Sequence, residues 1–184
     1  MSTSSSSRLD LLTSQVSQSS PRNPAENMND STRPFITCHV LDTVAGKPGV
    51  GIAVHLRLLS PLPSSSSSSS FSPSDSYVWN ATTNSDGRVT DWEPSSPSSA
   101  FSPPDSAVDL NAVVAQLKSE LNSRKDEVED QMLFSLTFET EAYYGKGKTF
   151  WPEVELRFAA KKGEMHYHVP LLLGPWSYTT YRGS

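Results

Sequence analysis

Among the 184 residues, the side chains best suited to chemistry near neutral pH are four imidazoles and one thiol: His39, His55, His166, His168 and Cys38. An imidazole titrates at about pH 6.5 and can exchange protons with water, while a thiolate can attack a carbonyl. Successive side chains on a strand point to opposite faces. If residues 35–42 form a strand, Cys38 and His39 diverge and cannot make a nucleophile–base pair, which needs sulfur and ring nitrogen within hydrogen-bond reach. Cys38 is therefore expected to be a small buried apolar residue. His166 and His168 lie two apart and share a face. They have the geometry of a two-imidazole metal centre if a third ligand such as His39 arrives from another strand, yet no carboxylate stands at a helpful spacing. General-base activation of water by one imidazole needs no metal, and a site with neither metal nor cofactor is the expectation.

These side chains need elements to hold them. Alternation of apolar and polar residues runs through 35–42, 52–59, 77–82, 132–139, 154–159, 166–173 and 177–181, and seven such short strands predict an all-β sandwich. The breaker clusters Ala45-Gly46-Lys47-Pro48-Gly49 and Asn84-Ser85-Asp86-Gly87 suit turns between antiparallel neighbours. One segment departs from the pattern. Residues 109–129 carry Leu110, Val113, Val114, Leu117 and Leu121 at spacings of three or four, with Asp105 or Asp109 as a cap. This predicts an inserted amphipathic helix whose stripe packs on the sandwich.

Residues 1–33 are rich in Ser, Asn, Pro and Gln, so a disordered arm is expected to precede one domain over 34–184. Two insertions interrupt that domain, at about 60–76, with seven consecutive serines at 64–70, and at 93–131. The Pro-Ser repeats of 93–105 predict a solvated loop that no element crosses. Removal of 105–131 is expected to leave activity near normal.

Composition narrows the function classes. Apolar residues make up 35% of the chain, below the usual ~45–50%, because serine and 14 prolines crowd a few stretches. The net charge is −5 and the 15 basic residues form no cluster, so nucleic acid is not an expected partner. A single cysteine rules out a disulfide-stapled scaffold. No apolar run is long enough to span a membrane, and the first twenty residues lack a secretory apolar stretch. A peroxisomal or cytoplasmic protein is expected rather than a secreted one. Arg8-Leu9 followed by Gln15-Val16 comes close to an amino-terminal peroxisomal address.

Four spaced motifs in one order carry a family resemblance: His39 opening the first strand, the turn Asp86-Gly87-Arg88, then Tyr167-His168-Val169-Pro170, and the terminal Tyr181-Arg182-Gly183-Ser184. With the stretch 39–54, they make the chain similar to the transthyretin family over 34–59, 77–91 and 132–184. Within it they resemble the branch that hydrolyses 5-hydroxyisourate. The hormone-carrying branch lacks the combination of His39, His168 and the terminal tetrapeptide. Two departures stand out. Gly174 replaces the family's usual small hydroxyl residue or Ala, a bend glycine can make. Residues 142–150, where the family has a short helix, contain Gly145 and Gly147, so a trimmed helix is expected.

The resemblance implies a transthyretin-like sandwich of seven to eight strands and a small planar substrate, 5-hydroxyisourate. It also implies a homotetramer, a dimer of dimers with sites where subunits meet. Opening that substrate's ring needs acid–base work on water, for which His39 and His168 are the candidates; His168 is taken as base and His39 as its acid or orienting partner, an order the sequence does not fix. Arg88 becomes the clamp on substrate and developing oxyanion, and Ser184 supplies a hydroxyl and an α-carboxylate that orient an imidazole or relay a proton. Tyr181 would contact the substrate ring, Arg182 would hold the tail, and His166 would line the rim. His55 stays outside the chemistry. The competing reading is a small-ligand carrier of transthyretin type without catalysis.

Overall fold

The structure, a computed structural model, describes residues 33–61, 77–95, 109–123 and 130–183. The amino-terminal arm, the serine run, most of the Pro-Ser stretch, Asp105 and Ser184 lie outside the described residues, as does residue-level support for their expected behaviour.

Among the described residues, ten strands and two helices follow one another: β1 (Ile36–Asp42), β2 (Lys47–Pro48), β3 (Ala53–Ser60), β4 (Val78–Thr82), β5 (Arg88–Val89), β6 (Glu93–Pro94), α1 (Leu110–Ser123), β7 (Gln131–Phe138), α2 (Thr140–Tyr144), β8 (Val154–Lys161), β9 (Tyr167–Leu173) and β10 (Tyr178–Thr180). All seven expected strands form. The other three, β2, β5 and β6, are two residues long, too short to carry an alternation signal. The seven-to-eight count therefore rises to ten among the described residues. β6 corrects the reading of 93–105 as free of any element, since Glu93 and Pro94 pair with Asn80 and Trp79 of β4. Pro94 is tolerated because this is a sheet edge, where a missing N–H costs no ladder bond.

The strands form two sheets. In one the order is β10-β9-β1-β2, with β5 also pairing β1; in the other it is β6-β4-β3-β7-β8. Every second residue of the long strands points between the sheets: Ile36, Cys38 and Val40 from β1, Val54, Leu56 and Leu58 from β3, Met132, Phe134, Leu136 and Phe138 from β7, and Val169, Leu171 and Leu173 from β9. The intervening residues of β1 and β9 therefore share the outer face of the first sheet, where His39 and His168 stand.

α1 begins at Asp109, whose Oδ1 accepts the Ala112 N–H at 3.0 Å, a side-chain cap on the first turn. Leu110, Val113, Val114, Leu117 and Leu121 are all buried and belong to the same core as the strands. The insertion is thus structural. Excision would remove five core side chains and uncover the residues they pack against, a cost in stability that the expectation of near-normal activity without the insertion left out. α2 is a trimmed helix, as expected, although it starts at Thr140 and stops at Gly145, whose φ of 96° ends the turn.

Candidate active site on the outer face of the first sheet

β1 organises the site because it is paired on both edges. Along one edge β9 runs parallel to it, placing Thr37 beside His168 and His39 beside Pro170. Along the other, β5 runs antiparallel and places Arg88 beside His39. The turn Asp86-Gly87-Arg88 delivers that arginine. Gly87 has φ 71°, and a Cβ there would stand 2.4 Å from the Val40 carbonyl oxygen, so only glycine lets the turn approach β1 this closely. The Val40 N–H donates to the Gly87 carbonyl at 2.8 Å and locks the approach.

The two imidazoles sit with ring centroids 6.5 Å apart. His39 is half-buried, and its pKa lies below the ordinary value of about 6.5. Burial is the main cause and the adjacent Arg88 charge the second, only partly offset by the ring N–H donating to the Asp86 carbonyl. His39 is therefore a neutral ring at pH 7, with one nitrogen spoken for by a backbone carbonyl.

His168 is flanked by Thr37 and by the carboxy-terminal tail. Its Nδ1 lies 2.9 Å from Thr37 Oγ1. Its backbone carbonyl accepts the Gly183 N–H at 2.9 Å, drawing the carboxy-terminal tail alongside β9. Gly183 also packs against the ring: a Cβ there would be 2.6 Å from His168 Cδ2. The glycine of the terminal motif is thus a close-approach residue that leads the chain to the imidazole just before Ser184. Arg182 anchors the same tail through Glu164 at 3.1 Å, with its guanidinium 5.2 Å from the Tyr167 ring centre.

Three expected site residues, His39, Arg88 and His168, are thus brought to one sheet face. Tyr181, on the tail between β10 and the Gly183 contact, is 56% exposed. Ser184 lies outside the described residues. Cys38 is fully buried and its thiol is pushed up to about 12 by desolvation, so it holds no thiolate at neutral pH, in line with its apolar reading. The nitrogens that a His166–His168 metal pair would offer converge instead on the Thr37 hydroxyl, at 3.2 and 2.9 Å. Sequence reasoning missed Thr37 and placed His166 only at the rim. The signal available was the two-residue spacing of both Thr37–His39 and His166–His168, which puts all four on one face once β1 and β9 are neighbours.

The HIUase/Transthyretin family profile matches residues 36–183. The chain is 34% identical over 162 residues to the probable 5-hydroxyisourate hydrolase of Schizosaccharomyces pombe, covering 87% of this chain and 99% of that protein. It is 33% identical over 160 residues to the 5-hydroxyisourate hydrolase of Deinococcus radiodurans, covering 84% and 99%. The crystal structure of (S)-allantoin synthase superposes with a TM-score of 0.50 at 29% identity, over 83% of this chain and 44% of that one. A sandwich of this kind and these matches over most of the chain show that it belongs to the HIUase/transthyretin family.

Proposed function

We propose that this protein hydrolyses 5-hydroxyisourate to 2-oxo-4-hydroxy-4-carboxy-5-ureidoimidazoline, a step of urate degradation, without a metal ion. The observation that carries the proposal is the juxtaposition of a neutral His39, its register partner Arg88 and His168 on one exposed sheet face. The names of the two relatives that cover most of the chain support the substrate.

Water attacks a ring amide carbonyl while His168 takes its proton, and His39, held neutral, accepts a second hydrogen bond that aims the water. The carbonyl oxygen gains negative charge facing Arg88, whose planar guanidinium is a permanent donor. Collapse breaks the carbon–nitrogen bond, and the departing nitrogen takes the proton from His168. Ser184 and Tyr181 complete the proposed set, the first by orienting an imidazole and the second by contacting the substrate. One sheet face covers a planar ligand on one side only. A second copy of the chain supplies the other wall in the proposed homotetramer; among the described residues β8 and β10 are edge strands of their sheets. No described helix is long and apolar enough to cross a membrane; a peroxisomal or cytoplasmic location is proposed, tested by fusing the first twenty residues to a fluorescent reporter.

The decisive experiment generates substrate from urate with urate oxidase and follows its absorbance decay with and without the protein. Acceleration is expected, unchanged by chelation. A carrier would leave the spontaneous rate as it was, and zinc-restored activity after chelation would overturn the metal-free assignment. Deletion of Ser184 is expected to lower turnover on the order of tenfold or more.

A further inference from the structure

Thr37 is the one hydroxyl between two imidazoles. It is buried, 5% exposed, and its Oγ1 lies 2.9 Å from His168 Nδ1 and 3.2 Å from His166 Nε2. The far nitrogen of His166, Nδ1, is 2.8 Å from the Pro34 carbonyl oxygen. A carbonyl only accepts, so His166 Nδ1 carries a proton and, in the neutral ring, Nε2 carries a lone pair. That lone pair takes the single hydroxyl proton of Thr37. The hydroxyl is left as an acceptor towards its other neighbour, so His168 Nδ1 must carry hydrogen and His168 Nε2 the lone pair. One backbone carbonyl thus sets the direction of three hydrogen bonds in series.

We infer that Thr37 and His166 are positioning residues that fix the tautomer of His168, holding its Nε2 unprotonated as the nitrogen able to take a proton from water. A ring in the opposite tautomer would present N–H where a base is required, and the tautomer of an imidazole is set by the bond its other nitrogen makes. The inserted helix steadies both ends of the series. Asn111 Oδ1 accepts the Phe35 N–H at 2.8 Å, next to Pro34, and Lys118 Nζ donates to the Glu164 carbonyl at 2.6 Å, two residues before His166.

The consequence for rate rests on the proposed hydrolysis; the tautomer itself does not. The test records imidazole nitrogen–proton correlations by NMR on the full-length labelled protein at neutral pH, and turnover on 5-hydroxyisourate in parallel. Wild-type His168 is expected as the Nδ1–H form. Thr37→Val keeps the branched shape without the hydroxyl; it should shift His168 towards the Nε2–H form and lower kcat on the order of 10- to 100-fold with KM within about twofold. Thr37→Ser should restore both tautomer and rate. Wild-type His168 in the Nε2–H form would overturn the inference. A fall in kcat with the tautomer unchanged would overturn it too, since lost packing alone would give that result. If the wild-type protein fails to accelerate hydrolysis, the hydrolase reading falls while the NMR comparison still decides the tautomer.

Discussion

The two outer faces of the sandwich each present an imidazole on a central strand, and they treat it in opposite ways. On the first sheet, His39 of β1 has Arg88 as its cross-strand partner. Its proton affinity is lowered first by burial and then by that charge. On the second sheet, His55 of β3 has Asn80 as its cross-strand partner. Its Nδ1 lies 2.7 Å from Asn80 Oδ1 and its Nε2 3.0 Å from Glu139 Oε1. Burial alone would lower this ring's pKa as well, yet the hydrogen bonds to Asn80 and Glu139 and the charges of Glu139 and Glu153 outweigh it and raise the value. With both nitrogens facing oxygen acceptors, His55 holds a proton more readily than a free imidazole and is tied into its surface. The same residue type becomes a reagent beside a cation and a tie beside carboxylates.

The contrast breaks most visibly in turnover. His168→Ala, His39→Ala and Arg88→Ala are each expected to cut kcat/KM for 5-hydroxyisourate on the order of tenfold to a thousandfold, the range of general-base and oxyanion contributions. His55→Ala should leave it within about twofold. A large loss in His55→Ala, with folding intact by circular dichroism, would end the division into reagent and tie. A smaller effect is expected from Gly183→Ala. The added methyl would meet His168 Cδ2 at 2.6 Å, so either the ring or the tail must shift. Turnover should fall by about tenfold, as positional errors of this size allow, while the NMR titration of His55 stays where it was. Wild-type rates in this variant would remove the tail from the account of the site.

These outcomes bear on how much could be read beforehand. Alternation in 35–42 and 166–173 was enough to put His39 and His168 on strand faces and to bury Cys38. It could not reveal that β1 and β9 run side by side in parallel, because strand neighbours are chosen by tertiary packing. Without that register, Thr37 is one threonine among many and His166 only a rim residue. The inserted helix was legible from its stripe, and its cap from Asp109. Its importance was not, because an insertion outside the family's motifs looks dispensable until Leu117 and Leu121 are found among the core side chains. The two-residue β5 that fixes Arg88 has no periodicity to detect; only the turn Asp86-Gly87-Arg88 marked the place.

The electrostatic half of the comparison is sharpened by two charge-removing substitutions that should move two titrations in opposite directions. Arg88→Gln takes away a cation beside His39, so protonation becomes easier and the His39 pKa should rise towards about 6.5, with burial still holding it down. Glu139→Gln takes away the negative charge beside His55 and leaves only a neutral amide oxygen to accept its N–H, so its pKa should fall. Chemical shifts of the ring protons against pH read both. Movement of the two in the same direction would mean that burial, common to both faces, governs them rather than the neighbouring charges.

The smallest expected effect is on stability, and its sign follows from the direction of the His55 shift. A group whose folded pKa is raised stabilises the fold fully below its unfolded pKa, here about 6.5, and the benefit is lost as the pH climbs through the raised value. Both partners are well exposed, 38% for the His55 side chain and 45% for Glu139, so solvent screens the pair, and its worth is bounded at about 0.2–1 kcal/mol. Urea unfolding of wild type and Glu139→Gln should therefore differ more at pH 5.5 than at pH 8.5, with wild type the more stable at the lower pH. A gap that is flat, or that widens on the alkaline side, would mean the ring is neutral in the folded protein. His55 would then be no tie at all, and the two faces would differ only in what lies beside their imidazoles.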